Sequence, residues 1–456
     1  MKERKAIRNL IAIIFTGLVC VSTAMTQDQQ VKTTFVHLAQ GAPAVLYEPI
    51  NPGAKAQVAV FVMHSAGDYL THSACTELSK RGYRVLCANN SNDKNGLFND
   101  GVLDRVLLEV KPGILYLRKY PGVKKIVLWG HSGGATVMAA YENIAENGIK
   151  ICQDDAKVYK CPNSLAALPP ADGVIMGDAN WGLPIITLLG MNPAVTNENS
   201  MMIDSDLDMF NPKNGFDPNG SHYSEDFIRR FQAGQVKRYN ALVKLALDRK
   251  ALIEAGKGMY SDDEPFIIAG ASFNTHTLFG TDTSLFSHTQ KAWPLLHADG
   301  SLTTEVVHSL RLPESMTPKS QTTYAEALRT TVKGFLSTYA IRVSSDEFSY
   351  GKDDSLRGID WKSSWASPEG NAEGISVPVL TMGMTGSYEH SMDEVFHEHV
   401  KSADKTLVYV EGATHGYPTC KKCEKTPGQY GDTVKTIYDY ADKWLNQKGR
   451  FMEAAE

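Results

Sequence analysis

The sequence predicts an α/β fold: a mostly parallel sheet flanked by helices, with a mainly helical cap inserted after the sixth strand. Three observations lead there. Runs of consecutive apolar residues, Val58–Met63 above all, have strand length and no alternation, as strands buried on both faces require. Stretches between them carry apolar residues at helical spacing. The alternation of the two kinds calls for crossover connections, and so for parallel neighbours.

Residues 1–24 stand outside this pattern. Met1 to Arg8 is basic, Leu10 to Val21 is apolar but short for a bilayer span, and Ser22-Thr23-Ala24 offers small residues where a signal peptidase cuts. The expectation is a signal peptide and an exported protein, periplasmic or secreted, with no stable membrane insertion once the leader is gone. The first part of the core is placed at 25–180. Thr34–Leu38 and Ala44–Tyr47 flank Gly41-Ala42-Pro43 as a hairpin, and Val58–Met63 is the first buried strand. A helix over about 72–81 stops at Gly82, and Tyr83–Ala88 is the next strand. Val102, Val106, Val110, Ile114 and Leu117 mark an amphipathic helix containing Pro112. Lys125–Trp129 is a strand, Ala135–Ala145 a helix and Gly173–Met176 the sixth strand.

Residues 181–370 break the rhythm. A turn-rich stretch, Asn211–Gly220, precedes a long charged helix over Ser224–Ala255, followed by irregular segments rich in Gly, Thr and aromatics. This is the expected cap, with Trp181, Phe279, Phe286 and Trp293 as its core. The second part of the core, 371–456, resumes with strands Val377–Met382 and Thr406–Val410, a helix over Met392–Lys401 between them, and a last helix striped by Val434, Ile437, Tyr438, Ala441 and Leu445.

Composition excludes several classes. The 43% apolar and 21% charged residues are those of an ordinary globular chain, and a net charge of −5 with no basic stripe argues against a nucleic-acid partner. Nothing calls for a cofactor or a metal. His397 and His399, two apart on a helix, point to different faces. Without Cys20, six cysteines remain. Cys152 and Cys161 bracket a short loop and Cys420-Lys-Lys-Cys423 suits a local disulfide, whereas Cys87, inside an apolar strand, reads as simply buried.

The chemistry gathers at strand ends. Gly130-His-Ser-Gly-Gly134 lies between a strand and a helix, with glycines two residues either side of Ser132, as a tight turn presenting a nucleophile needs. A serine hydroxyl needs a base, and His415 stands in the last strand-to-helix loop, Glu411-Gly-Ala-Thr-His-Gly-Tyr417. With these residues, and His64-Ser-Ala-Gly67 after the third strand, the chain resembles the α/β-hydrolase superfamily over about 30–180 and 375–448. The resemblance implies a serine hydrolase with an oxyanion hole formed by the Gly133 amide and an amide of the His64–Gly67 loop, from Ser65 or Ala66; Ser65 stands where relatives carry glycine. His64 itself reads as structural.

The acid is left open. Most relatives place it after the strand matched by Val377–Met382, but that slot falls near Ser387 or Tyr388, with Glu389 one step late and Glu394 further on. Asp178, just past Gly173–Met176, is where a minority carry it. The expected catalytic set is therefore Ser132, His415 and one of Asp178, Glu389 or Glu394. The expected activity is cleavage of a carboxylic ester of a small-molecule acyl substrate. The alternatives are a peptidase or amidase of the same fold and a non-catalytic binding protein on that scaffold.

Overall fold

The computed structural model describes residues 30–92, 94, 103–199, 202–271, 276–314, 327–352 and 356–452; the expected leader and Cys20 lie outside them. In chain order the strands are β1 (Val31–His37), β2 (Pro43–Pro49), β3 (Val58–Val62), β4 (Arg84–Ala88), β5 (Lys125–Ser132) and β6 (Gly173–Ala179). After these come β7 (Pro265–Ile268), β8 (His288–Leu296), β9 (Leu302–His308), β10 (Leu328–Thr331), β11 (Arg342–Val343) and β12 (Ile359–Asp360), and finally β13 (Val379–Met384) and β14 (Lys405–Val410).

Ten of them form one sheet in the order β1-β2-β4-β3-β5-β6-β13-β14-β8-β9. β1, β2 and β4 are antiparallel neighbours; from β4 to β8 every pairing is parallel. Side chains of a strand alternate between faces, and the central strands supply two cores at once. Ala59, Phe61, Ile126 and Leu128 enter the larger core, and Val58, Val60, Val127 and Trp129 the smaller. That is why these strands read as unbroken apolar runs. Helices Leu103–Lys119, Gly134–Asn147 and Met392–His399 cover one face, Ser73–Lys80 and Thr433–Leu445 the other. Contact is close: a methyl on Gly113, beside Pro112 in its helix, would overlap the Phe61 ring. Truncating Leu128, wholly buried here, to alanine would cost about 2–5 kcal/mol.

Residues 181–370 depart from a purely capping role. The 30-residue helix Glu225–Glu254 forms as its sequence predicts, with the Ser224 side chain accepting from the Phe227 amide. Trp181, Phe279 and Phe286 cluster with ring centroids 5.3–5.4 Å apart. β7 with β10 and β11 with β12 form small separate sheets. The β8–β9 hairpin, however, joins the main sheet beside β14, Leu295 opposite Tyr409 and Leu296 opposite Val410, so Trp293 belongs to the sheet edge rather than to a cap core. The expectation of a mainly helical insertion is corrected to that extent. The reason is physical: β9 is exposed at all but one position, so neither periodicity nor apolar run announces it.

Three cysteine pairs stand at disulfide distance: Cys152–Cys161 and Cys420–Cys423, as the spacing suggests, and Cys75–Cys87, which the sequence reading of Cys87 as merely buried did not anticipate. Helix Ser73–Lys80 turns back onto β4, the next strand, and brings the two Cα atoms within 6.2 Å.

Candidate active site

The sheet ends where β5 meets the helix Gly134–Asn147, and Ser132 is the joint. Its φ is 52°, a left-handed conformation that a non-glycine residue adopts at a cost of order 1–3 kcal/mol. The β5–β6 register shifts between His131 and Ser132, so that the serine stands opposite Ala179 and its side chain is re-aimed. The glycines are required by proximity. A Cβ on Gly130 would lie 3.0 Å from the Gly134 carbonyl oxygen, one on Gly134 2.9 Å from that of Met63, and one on Gly133 would strike Ser65 Oγ. Ser132 and Gly133 border a cavity of about 300 Å³ whose other walls include His64, Ser65, and Leu183 and Ile186 from the inserted segment.

His415, in the loop after β14, bonds through Nδ1 to Asp178 Oδ2 at 2.5 Å. Asp178 is fully buried at the carboxyl end of β6 and also has a left-handed φ of 52°. Its Oδ2 takes a second hydrogen bond, 2.6 Å, from the Ser387 hydroxyl, which lies 3.5 Å from His415 Nδ1. Of the candidate carboxylates, only Asp178 meets the imidazole. Glu394 accepts from the Gln290 and Lys291 amides and Trp293 Nε1, 2.7–2.9 Å, and so is committed to β8. Glu389 is buried and makes no hydrogen bond to His415; burial first, and the charge of Asp178 second, push its carboxyl well above the usual carboxylate range. Asp393 is pushed up for the same two reasons and accepts from the Ala179 amide.

A network that sequence reasoning missed holds His415 from behind. His131 Nε2 lies 2.7 Å from the His415 carbonyl oxygen, and its Nδ1 2.5 Å from the Tyr69 hydroxyl. A carbonyl only accepts, so Nε2 carries the proton and Nδ1 accepts from Tyr69. Burial, then the neighbouring His415 and His72, keeps the His131 pKa well below its ordinary value, consistent with this neutral ring. Tyr388 adds a ring 4.7 Å from that of His415. The only sequence signals were an aromatic residue in the loop after β3 and a histidine inside the G-x-S-x-G motif. His131, Asp178 and His415 also place potential ligand atoms within 4.8 Å of one another. Both ring nitrogens of His131 and Nδ1 of His415 are already engaged, so a cation bound through them would have to displace one His131 hydrogen bond and the His415–Asp178 bond, and the trio does not fit a metal. His399 bonds Glu373 and His397 is buried against Trp293, so the pair on that helix serves packing rather than a solvated face.

The loop after β3 is fixed by asparagines. Asn90 Nδ2 donates to the His64 carbonyl at 2.6 Å, and Asn92 Nδ2 to that of Ser65 at 2.7 Å. Across a trans peptide C=O and N–H point opposite ways, so pinning the His64 carbonyl aims the Ser65 amide away from Asn90. The Ala66 amide is already spent: it donates to His64 Nδ1 at 3.1 Å, as does that of Gly67 at 2.6 Å.

The sheet order, with the serine on a strained strand–turn–helix joint, is that of the α/β-hydrolase fold. No protein-family model matches the chain, and no curated protein does. Solved structures with likeness to it include Est1E from Butyrivibrio proteoclasticus (11% identity, 91% of this chain and 97% of that one covered, TM-score 0.39). Two others are the siderophore hydrolase EstB from Aspergillus fumigatus (12%, 91% and 98%, 0.40) and the α/β hydrolase GrgF from Penicillium sp. sh18 (12%, 91% and 98%, 0.39). Likenesses this distant say nothing about the chemistry of this chain.

Proposed function

We propose that the protein is an exported serine hydrolase that cleaves a carboxylic ester through an acyl-enzyme. The observation that carries the proposal is the His415–Asp178 hydrogen bond, on the same sheet edge as a strained Ser132 that borders a cavity. Ser132 Oγ attacks the ester carbonyl as His415 Nε2 takes its proton, while Asp178 holds the imidazole by Nδ1. The amides of Gly133 and Ser65 receive the oxyanion. Collapse of the tetrahedral adduct expels the alkoxide, which takes the proton from His415. A water molecule, deprotonated by the same imidazole, then attacks the acyl-enzyme and returns the carboxylic acid and free Ser132. Leu183, Ile186, Ala271 and Tyr339 of the 181–370 segment line the same cavity as Ser132, and the segment acts as the cap that selects the acyl group.

The leader-like residues 1–24 and three cysteine pairs support export to the periplasm or beyond. No helix among the described residues is long and apolar enough to cross a membrane. The test is labelling by a fluorophosphonate, expected for the wild type and absent in Ser132→Ala. A folded wild type that takes no label would sink the proposal. Turnover of p-nitrophenyl butyrate beside the matching anilide separates esterase from amidase, with the ester expected to be favoured.

A further inference from the structure

His64 has a tautomer that hydrogen bonding dictates. Its Nδ1 accepts from two backbone amides, those of Ala66 and Gly67, and an imidazole nitrogen that accepts carries no proton. The proton of the neutral ring is therefore on Nε2. The ring stays neutral across the working pH range, because burial, and next the charge of His415, lower its pKa to about 3. Tyr69 stacks on it at 4.6 Å with planes 12° apart, so the ring cannot swing.

Nε2 is turned toward Gly133, the residue after the serine. It lies 3.0 Å from where a Cβ on Gly133 would be, and His64 borders the same cavity as Ser132, Gly133 and Ser65. Among the described residues none is seen to accept from it. A residue's Cβ position is about 2.5 Å from its own nitrogen, so Nε2 and the Gly133 nitrogen are at most about 5.5 Å apart. Two donors can share one oxygen when they lie within about 6 Å of each other, each contributing a bond of about 3 Å.

Resting on the reading of Ser132 as nucleophile, we infer that His64 is itself a donor of the oxyanion hole, its Nε2–H reaching the same oxygen as the Gly133 and Ser65 amides. The substrate oxygen thereby gains a side-chain donor in a loop whose second candidate amide, Ala66, is turned inward to hold that same side chain in place. The sequence reading of His64 as structural is half of its role. Nδ1 supports the loop and Nε2 serves the reaction.

The test separates the two halves. In His64→Asn, Oδ1 can still accept from the amides two and three residues on, as asparagine does in turns, whereas Nδ2 falls short of Nε2. His64→Ala removes both functions. Thermal melting, kcat and KM on p-nitrophenyl butyrate, and affinity for an aliphatic trifluoromethyl ketone, whose adduct with Ser132 carries an oxyanion, would be measured for both. Removing one oxyanion donor costs about 10²–10³ in kcat elsewhere, and His64→Asn is expected to lose roughly that factor in kcat and in ketone affinity, with KM little changed. Recovery of wild-type kcat and ketone affinity in His64→Asn, with loss confined to His64→Ala, would overturn the inference and leave the serine hydrolase reading standing. Absence of fluorophosphonate labelling and ester turnover in the wild type would overturn both.

Discussion

The loops leaving β6 and β13 lie side by side and both reach toward the imidazole of His415, yet they offer it different things. The β6 loop presents a carboxylate at once, on a strand-end residue held at φ 52°. The β13 loop, where most of the resembling superfamily keeps its acid, presents a hydroxyl from Ser387. The hydroxyl bonds the carboxylate it has replaced rather than serving the histidine alone. Position on the sheet edge, not membership of one particular loop, decides which group can reach the His415 imidazole. A neighbouring strand end lies only about 5 Å away, within reach of a side chain.

The largest effect that can break this comparison is removal of the β6 carboxylate. Asp178→Asn is expected to lower kcat by about 10³–10⁴, the scale of an orienting acid in a serine triad, while the fold survives. Glu389→Gln should leave kcat within a few-fold of wild type. The reverse ranking, from ester hydrolysis by the two purified variants, would move the acid to the β13 loop. An intermediate effect sharpens the point. Ser387→Ala takes from Asp178 a hydrogen bond to a charged group, a kind of interaction worth roughly 1.5–3 kcal/mol. Part of that reaches the transition state, so a loss of about tenfold in kcat with KM unchanged is expected. Placing the acid in the other loop, as Asp178→Asn with Ser387→Asp, should recover at least tenfold over Asp178→Asn alone. No recovery would mean that the loop matters as well as its distance from His415.

The same two loops show what a sequence makes legible. Ser132, His415 and Asp178 each sit within five residues after an apolar run, and a run of that kind locates a strand end wherever it occurs. Glu389 and Glu394 follow such a run too; the strand-end place of Asp178 put it first, but sequence had no means of excluding the other two. The Ser387–Asp178 bond joins residues 209 apart, and the His131–His415 bond residues 284 apart, with no periodicity to signal either. The Cys75–Cys87 pair and the β8–β9 hairpin were hidden for related reasons. The first depends on how a helix folds back onto a strand, and the second is too exposed to carry a pattern. The loss of the Ala66 amide to His64 was equally invisible, because only coordinates tell which way a peptide faces.

The remaining predicted effect concerns stability rather than rate, and it separates Glu389 from Asp178 by a different property. Glu389 is buried with Oε1 unpartnered, among Asp178, Asp393, Glu314 and Glu369. Its folded pKa is raised above the unfolded value of about 4.3, so the native state binds the extra proton. The stability this proton brings is complete below pH 4 and is lost as the pH rises toward the folded pKa. Glutamine has nearly the same shape and cannot ionise. Between pH 5 and 8 the unfolding free energy of the wild type should therefore fall relative to that of Glu389→Gln, by up to about 1.4 kcal/mol per pH unit until the folded pKa is reached. The slopes contributed by Asp393, and by Glu142 and Glu369, both pushed up to about 8 by burial, are present in both proteins and largely cancel in the difference. Urea unfolding at pH 5, 6.5 and 8 measures it. Parallel curves for the two proteins would show that Glu389 is ionised in the fold, and an ionised Glu389 would again compete with Asp178 as the acid behind the base.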